Sequence, residues 1–158
     1  MKKIAASMLL SVPAFLFITC SSAQRAPQFK SAVDVPELTE QTYKAVDTQK
    51  KIAGIYFYKS DLGQAHTENG DITLRAFKDT MDNRVAFYKV DVVNFSAKEQ
   101  LHLSKDVIGE PKLPAYLFIY RNSVLAKKVG SYDNRESAVS AADQLWKGFQ
   151  DRVWRKKR

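Results

Sequence analysis

One domain of ordinary size fits within 158 residues, and two do not. A hydrophobic content of 45% with 9 Phe, 7 Tyr and 2 Trp excludes a disordered chain, which lacks the aromatic residues a core needs. The formal charge of +8 sits mainly at the ends: residues 24–150 carry 18 Lys and Arg against 16 Asp and Glu, so the body is almost neutral.

Residues 1–23 have the three-part layout of an export signal. Lys2 and Lys3 open it, an apolar run from Ile4 to Ile18 follows, and the small-residue segment Thr19 to Ala23 closes it. The run covers 15 residues, short of the ~20 that a membrane-spanning helix needs. Two cleavage sites compete. Ser21-x-Ala23 suits ordinary signal peptidase and would release a soluble chain starting at Gln24. Phe17-Ile18-Thr19-Cys20 resembles a lipoprotein box, in which Cys20 is lipidated and becomes the new N-terminus. Phe17 and Thr19 depart from the usual box, but a Cys placed where the apolar run ends, before Ser21 and Ser22, favours lipidation. Both routes predict an exported protein, either soluble in the periplasm or anchored to the inner or outer membrane and facing it. Cys20 is the only cysteine, which excludes a disulfide within the chain and a Cys-x-x-Cys redox site.

Residues 24–32 are polar and read as a tether, and a domain over 33–150 follows. Val33-Asp34-Val35 alternates briefly before Pro36, as an edge strand does. Thr39 can cap a helix to about Gln49 with Tyr43 and Val46 on its apolar face, although Thr42 leaves the capping box incomplete. Ile52–Tyr58 is apolar without alternation and predicts a strand buried on both faces. A polar, turn-rich stretch, Lys59 to His66, comes next. Leu74, Phe77 and Met81 then mark a helix whose first half Asn69-Gly70 interrupts. Val85–Val93 predicts a strand and Ala97–Leu103 a short helix. Leu113–Tyr120 and Val124–Val129 predict a hairpin turning at Arg121-Asn122-Ser123. Asp133 or Asn134 can cap a last helix with Ala138, Ala142, Leu145, Phe149 and Val153 on one stripe. The order is α/β, with a central mixed sheet flanked by helices and a basic tail over 151–158.

From Val33 to Phe149 the chain resembles the thioredoxin family. VPELTEQTYKAV matches its first strand and helix, IAGIYFY its central strand, VAFYKVDVV the next strand, and LPAYLFIYRNSVLAKKVG its terminal hairpin. The last match is the most specific: a Pro opens an apolar strand, and the second strand ends in Lys-Val-Gly. The resemblance implies a thioredoxin fold in which Leu62, Gly63, Gln64 and Ala65 occupy the positions of the family's Cys-Gly-Pro-Cys. The family's buried proton-handling acid falls at Tyr56, and Pro114 falls at its cis-Pro. Pro111 is a neighbouring candidate, because the link from Val92 to Leu113 is longer than is usual in the family. Leu and Ala can neither ionise nor form a mixed disulfide, so dithiol exchange is excluded. The remaining candidate site is an apolar patch of Tyr58, Leu62, Leu113 and Pro114, suited to an extended peptide.

Other chemistries find little support. His66 with Asp61, Glu68 and Asp71 lacks paired ligand spacing, so no metal is expected. Ser60 has no His with an orienting partner, and Gly63 and Gly70 are too sparse to cradle phosphate. No cofactor is expected. Arg152, Arg155, Lys156, Lys157 and Arg158, with Trp154, form either a solvated helix end or an attachment to an anionic membrane, and an exported chain meets little nucleic acid. The leading expectation is a non-catalytic envelope protein that holds a protein or peptide partner in the former active-site groove. The alternatives are a subunit of a redox or other enzyme assembly whose chemistry another chain supplies, and a structural envelope lipoprotein.

Overall fold

Ile52–Tyr58 forms the central strand of a five-stranded sheet, and all seven of its residues are buried, as its unbroken apolar character predicts. The computed structural model describes residues 27–153. Cys20, Arg155, Lys156, Lys157 and Arg158 lie outside that range. In chain order the elements are β1 (Glu37–Leu38), β2 (Ile52–Tyr58), α1 (Gln64–Met81), β3 (Val85–Asp91), α2 (Ala97–His102), β4 (Ala115–Tyr120), β5 (Ser123–Val129) and α3 (Arg135–Val153). The sheet order is β1-β3-β2-β4-β5. β1, β3 and β2 run parallel, and β4 is antiparallel to both β2 and β5.

Because side chains alternate along a strand, β2 feeds two cores. Ile52, Tyr56 and Tyr58 face α1 and α3, where they meet Leu74, Phe77, Met81, Tyr116, Phe118, Trp146 and Phe149. Ile55 and Phe57 face the other side, with Tyr43, Val90, Phe95, Leu103, Ile108 and Leu117. In α3, Asn134 rather than Asp133 is the cap, its Oδ1 accepting from the Ser137 N–H at 2.9 Å. The buried stripe of that helix is Ala138, Ala142, Trp146 and Phe149, with Leu145 and Val153 at its margin. Trp146 takes the place expected of Leu145, and the Arg84 guanidinium lies over its ring at 4.2 Å. The hairpin turn is confined to Arg121 and Asn122, both in left-handed backbone (φ 48° and 59°), and Ser123 already belongs to β5.

The N-terminal third departs most from the sequence reading. Val33-Asp34-Val35 is not a strand: the Val35 N–H turns back to the Val33 carbonyl at 3.0 Å, and pairing with β3 starts only where the Pro36 carbonyl accepts from the Lys89 N–H at 3.0 Å. The helix expected from Thr39 to Gln49 reduces to a single 3-10 turn, Tyr43–Ala45. Thr39 and Thr42 exchange side-chain bonds with each other's backbone N–H groups at 3.3 and 2.8 Å, a local alternative that competes with helix growth. Residues 29–32 are docked rather than a free tether. The Phe29 N–H donates to the Ser60 carbonyl at 2.8 Å, and Asp71 accepts from the Ser31 hydroxyl and the Ala32 N–H at 2.6 and 2.7 Å.

Nor is α1 interrupted. Asn69 and Gly70 lie within a continuous helix of 18 residues. Gly70 is there for packing: a Cβ at this position would stand 2.1 Å from the Tyr56 hydroxyl.

Candidate functional site

The loop after β2 forms a tight turn that leads straight into a helix. After β2, a 3-10 turn over Ser60–Leu62 leads to Gly63, whose φ of 101° suits glycine, and α1 begins at Gln64. Asp91, at the end of β3, holds this turn: its Oδ1 accepts from the Ser60 and Val93 N–H groups at 3.2 and 3.1 Å. Leu62 is thereby pushed outward, 50% exposed, and Gln64 and Ala65 are also exposed. The Leu113–Pro114 bond is cis, and Pro111 is not the cis residue. The Pro114 carbonyl already accepts from the Gly130 N–H at 2.7 Å.

The expected patch is only partly assembled. Leu62 and Leu113 line one groove, but Tyr58 is 1% exposed and Pro114 is buried. Tyr58 shares the α1 face of β2 with Tyr56, and the two rings stack at 5.2 Å. Tyr56 stacks in turn on Tyr116 at 5.1 Å. The Tyr116 hydroxyl donates to the Gly70 carbonyl at 2.8 Å. Where the resembled family places a buried acid, this chain therefore has the centre of a three-tyrosine stack. Burial, first of all, pushes all three phenols well above their usual range, so none exchanges protons near neutral pH.

The groove has a wall that the sequence disclosed only in part, as the short helix expected over Ala97–Leu103. The long link after β3 becomes α2 and a following π-helical turn, Leu103–Ile108, closed by Gly109 in left-handed backbone. Between this wall and the Ser60–Leu62 turn runs a trough of about 480 Å³, lined by Lys59, Leu62, Leu101, Ile108, Pro111 and Leu113 among others. It continues past Leu113 into a second trough of about 820 Å³, reaching Lys127, Lys128 and Gly130 at the end of β5. Leu101, 53% exposed, faces the groove from the α2 side. Glu99 fastens α2 to the Tyr43–Ala45 turn, meeting the Lys44 ammonium at 2.7 Å and accepting from the Tyr43 hydroxyl. The hydrogen bond from Lys44, followed by that from Tyr43, holds the Glu99 carboxyl below its ordinary value. The apolar spacing over Ala97–Leu103 and the overlong Val92–Leu113 link are the sequence signals of this wall.

The other candidate residues do not converge. Asp71 is spent on the docked strap at Ser31 and Ala32, and Asp61 lies 3.4 Å from Lys59. Among the described residues no group of three His, Cys, Asp or Glu is placed to hold a metal ion. Arg152 belongs to the last turn of α3, not to a separate tail, and donates to the Leu125 carbonyl. No helix among the described residues is long and apolar enough to cross a membrane.

A central β2 flanked by β3 and β4, a helix starting directly after it, and a Pro opening β4 together define a thioredoxin-like fold. Solved structures agree. The chain superposes on chloroplastic thioredoxin z with a TM-score of 0.50 at 17% identity, covering 75% of this chain and 99% of that one. Against thioredoxin f2 of Chlamydomonas reinhardtii the TM-score is 0.50 at 16% identity, covering 75% and 96%. These likenesses establish the fold. No family model matches the sequence, and no curated protein matches it.

Proposed function

We propose that this protein is a non-catalytic binding module of the cell envelope that takes an extended segment of a partner chain into the groove around Leu62 and Leu113. The observation that carries this reading is the half-exposed Leu62, set on a rigid turn where an exchange enzyme needs a thiolate, and opening onto a trough with Leu101 on its other side. Neither Leu62 nor Ala65 can attack a sulfur. Two exposed leucines on one groove are instead suited to bury against a ligand.

Export and lipidation at Cys20 complete the proposal, and rest on the sequence of residues 1–23. The chain is docked from Phe29 onward, so the eight residues 21–28 separate a lipidated Cys20 from the domain, nine Cα–Cα steps in all. Fully extended, they reach about 30 Å. Metabolic labelling with a fatty-acid analogue should mark the wild type and not Cys20→Ala. An unlabelled mature chain starting at Gln24 would assign ordinary signal peptidase instead.

The groove is tested with Leu62→Asp. A charge there must be desolvated on binding, at a cost of about 1–3 kcal/mol, which is roughly tenfold or more in affinity. Because the side chain is half exposed, stability should change by no more than roughly 0.5 kcal/mol. Partner recovery from envelope extract should fall while thermal melting stays put. Unchanged recovery with unchanged melting removes the groove from the function.

A further inference from the structure

We propose that the groove selects an acidic, apolar segment, one that mixes Asp or Glu with leucine-sized side chains. This rests on the groove reading above and adds the chemistry of the occupant. The first argument is where the charge lies. Lys59, Lys112, Lys127 and Lys128 line the two connected troughs against one acid, Glu110, for a net +3. The whole stretch 24–150 carries only +2 (18 cations less 16 anions), so the domain outside the groove is slightly negative. Counting Asp61, 3.4 Å from Lys59, leaves the groove at +2 and the rest of the stretch neutral.

These cations are largely uncompensated. Lys127 reaches the carbonyl of Ile108 at 3.4 Å, Lys128 reaches the carbonyl of Val129 at 2.8 Å and lies over the Tyr132 ring at 4.6 Å, and neither they nor Lys112 has an ion-pair partner among the described residues. A cleft with one sign of charge and low-dielectric walls focuses its field on what enters it. The second argument is the floor. Leu62 and Leu101 stand half exposed on opposite walls, with Ile108 and Leu113 between them, so a purely polar anion would leave the apolar surface uncovered.

The same two features exclude other occupants. The chain's own flanks are basic, with Arg25 before the domain and Arg155, Lys156, Lys157 and Arg158 after it, so neither complements the lysines. Single-stranded nucleic acid binds by stacking its bases on aromatic side chains, and no aromatic residue lines either trough. A peptide with leucines and carboxylates fits both the floor and the rim.

The test uses the purified full chain in detergent and fluorescence anisotropy with three soluble ten-residue peptides, one rich in Leu and Glu, one in Leu and Gln, and one in Ser and Glu. A thymidine oligonucleotide serves as a fourth probe. At about 50 mM salt the Leu/Glu peptide should bind at least about fivefold tighter than either other peptide, and the margin over Leu/Gln should shrink at about 300 mM. Lys112→Glu with Lys127→Glu should weaken the Leu/Glu peptide about tenfold and leave Leu/Gln unchanged, whereas Leu62→Asp should weaken both. Thermal melts confirm that each variant is folded. Equal binding of Leu/Gln and Leu/Glu overturns the acidic preference and leaves the groove standing. Equal binding of Ser/Glu or the oligonucleotide reassigns the surface to polyanions and overturns the apolar requirement. Binding of no peptide, or none sensitive to Leu62→Asp, sinks the groove reading itself and this proposal with it.

Discussion

Gly70→Ala separates the packing account of α1 from a reading by helix propensity. In a helix interior this change ordinarily stabilises by about 1 kcal/mol, because Gly is the poorer helix former. Here the new Cβ would stand 2.1 Å from the Tyr56 hydroxyl oxygen and 2.9 Å from Cζ. Tyr56 has no space into which to withdraw: it is fully buried and stacked between Tyr58 and Tyr116. Forced overpacking of a close-packed core costs about 1–3 kcal/mol or more, which outweighs the propensity gain. The expected net effect is a loss of about 1–2 kcal/mol, lowering Tm by roughly 4–10 °C for a domain of this size. Tyr56→Phe removes the closest atom, and since that hydroxyl has no hydrogen-bond partner among the described residues the change alone should cost little. The double variant should therefore recover part of the loss, with a coupling of about 1 kcal/mol, the remainder reflecting the Cζ contact. Urea unfolding followed by tryptophan fluorescence reads all four corners of this cycle. A Gly70→Ala chain more stable than wild type would refute the reasoning.

Two further predictions test the walls and the loop. The Glu99 carboxyl is held below its ordinary value of 4.5, so its contribution to stability is complete above that pH and is lost as pH falls through the lowered folded value. The stability gap between wild type and Glu99→Gln should be full at about pH 6 and close on acidification below 4.5; a gap that does not vary with pH would mean the Lys44 and Tyr43 contacts do not anchor α2. Leu62→Cys with Ala65→Cys, in a Cys20→Ala background, should form a reducible disulfide on mild oxidation, read by thiol titration. A folded chain that retains two free thiols would show the loop to be misplaced.

Ile52–Tyr58, the strand from Val85 and the hairpin could be read from the sequence because each carries its own pattern: an unbroken apolar run in the first, a β-branched and aromatic run in the second, which ends at Asp91 rather than at the expected Val93, and a polar turn at Arg121 and Asn122. Long-range bonds decided what could not be read. Nothing local tells that Lys89 Nζ will reach the carbonyls of Ser31 and Val33, at 3.0 and 2.8 Å, and fix the preceding strap in place. The fate of Gly70 depends on Tyr56, on a different element. Half of the site was legible for the same reason. Leu62 and Leu113 follow from register alone, whereas Leu101 and the lysines join them only through the path taken by α2 and β5. Tyr58 is buried despite its nearness along the chain to the exposed loop, because both faces of β2 are covered to its last residue.

Dithiol exchange makes demands on such a site that the residues at 56, 62 and 65 do not meet. Exchange needs a thiolate at the surface and, behind it, a buried group able to accept a proton. At 62 and 65 the surface carries Leu and Ala, and behind it stands Tyr56, fully buried, with its phenol pushed well up by burial. Two cysteines installed at the loop would thus form a disulfide without gaining the proton acceptor that turnover requires. A carboxylate at 56 would sit between the rings of Tyr58 and Tyr116 and opposite Lys89 on β3, whose ammonium is already held by the carbonyls of Ser31 and Val33 at 3.0 and 2.8 Å.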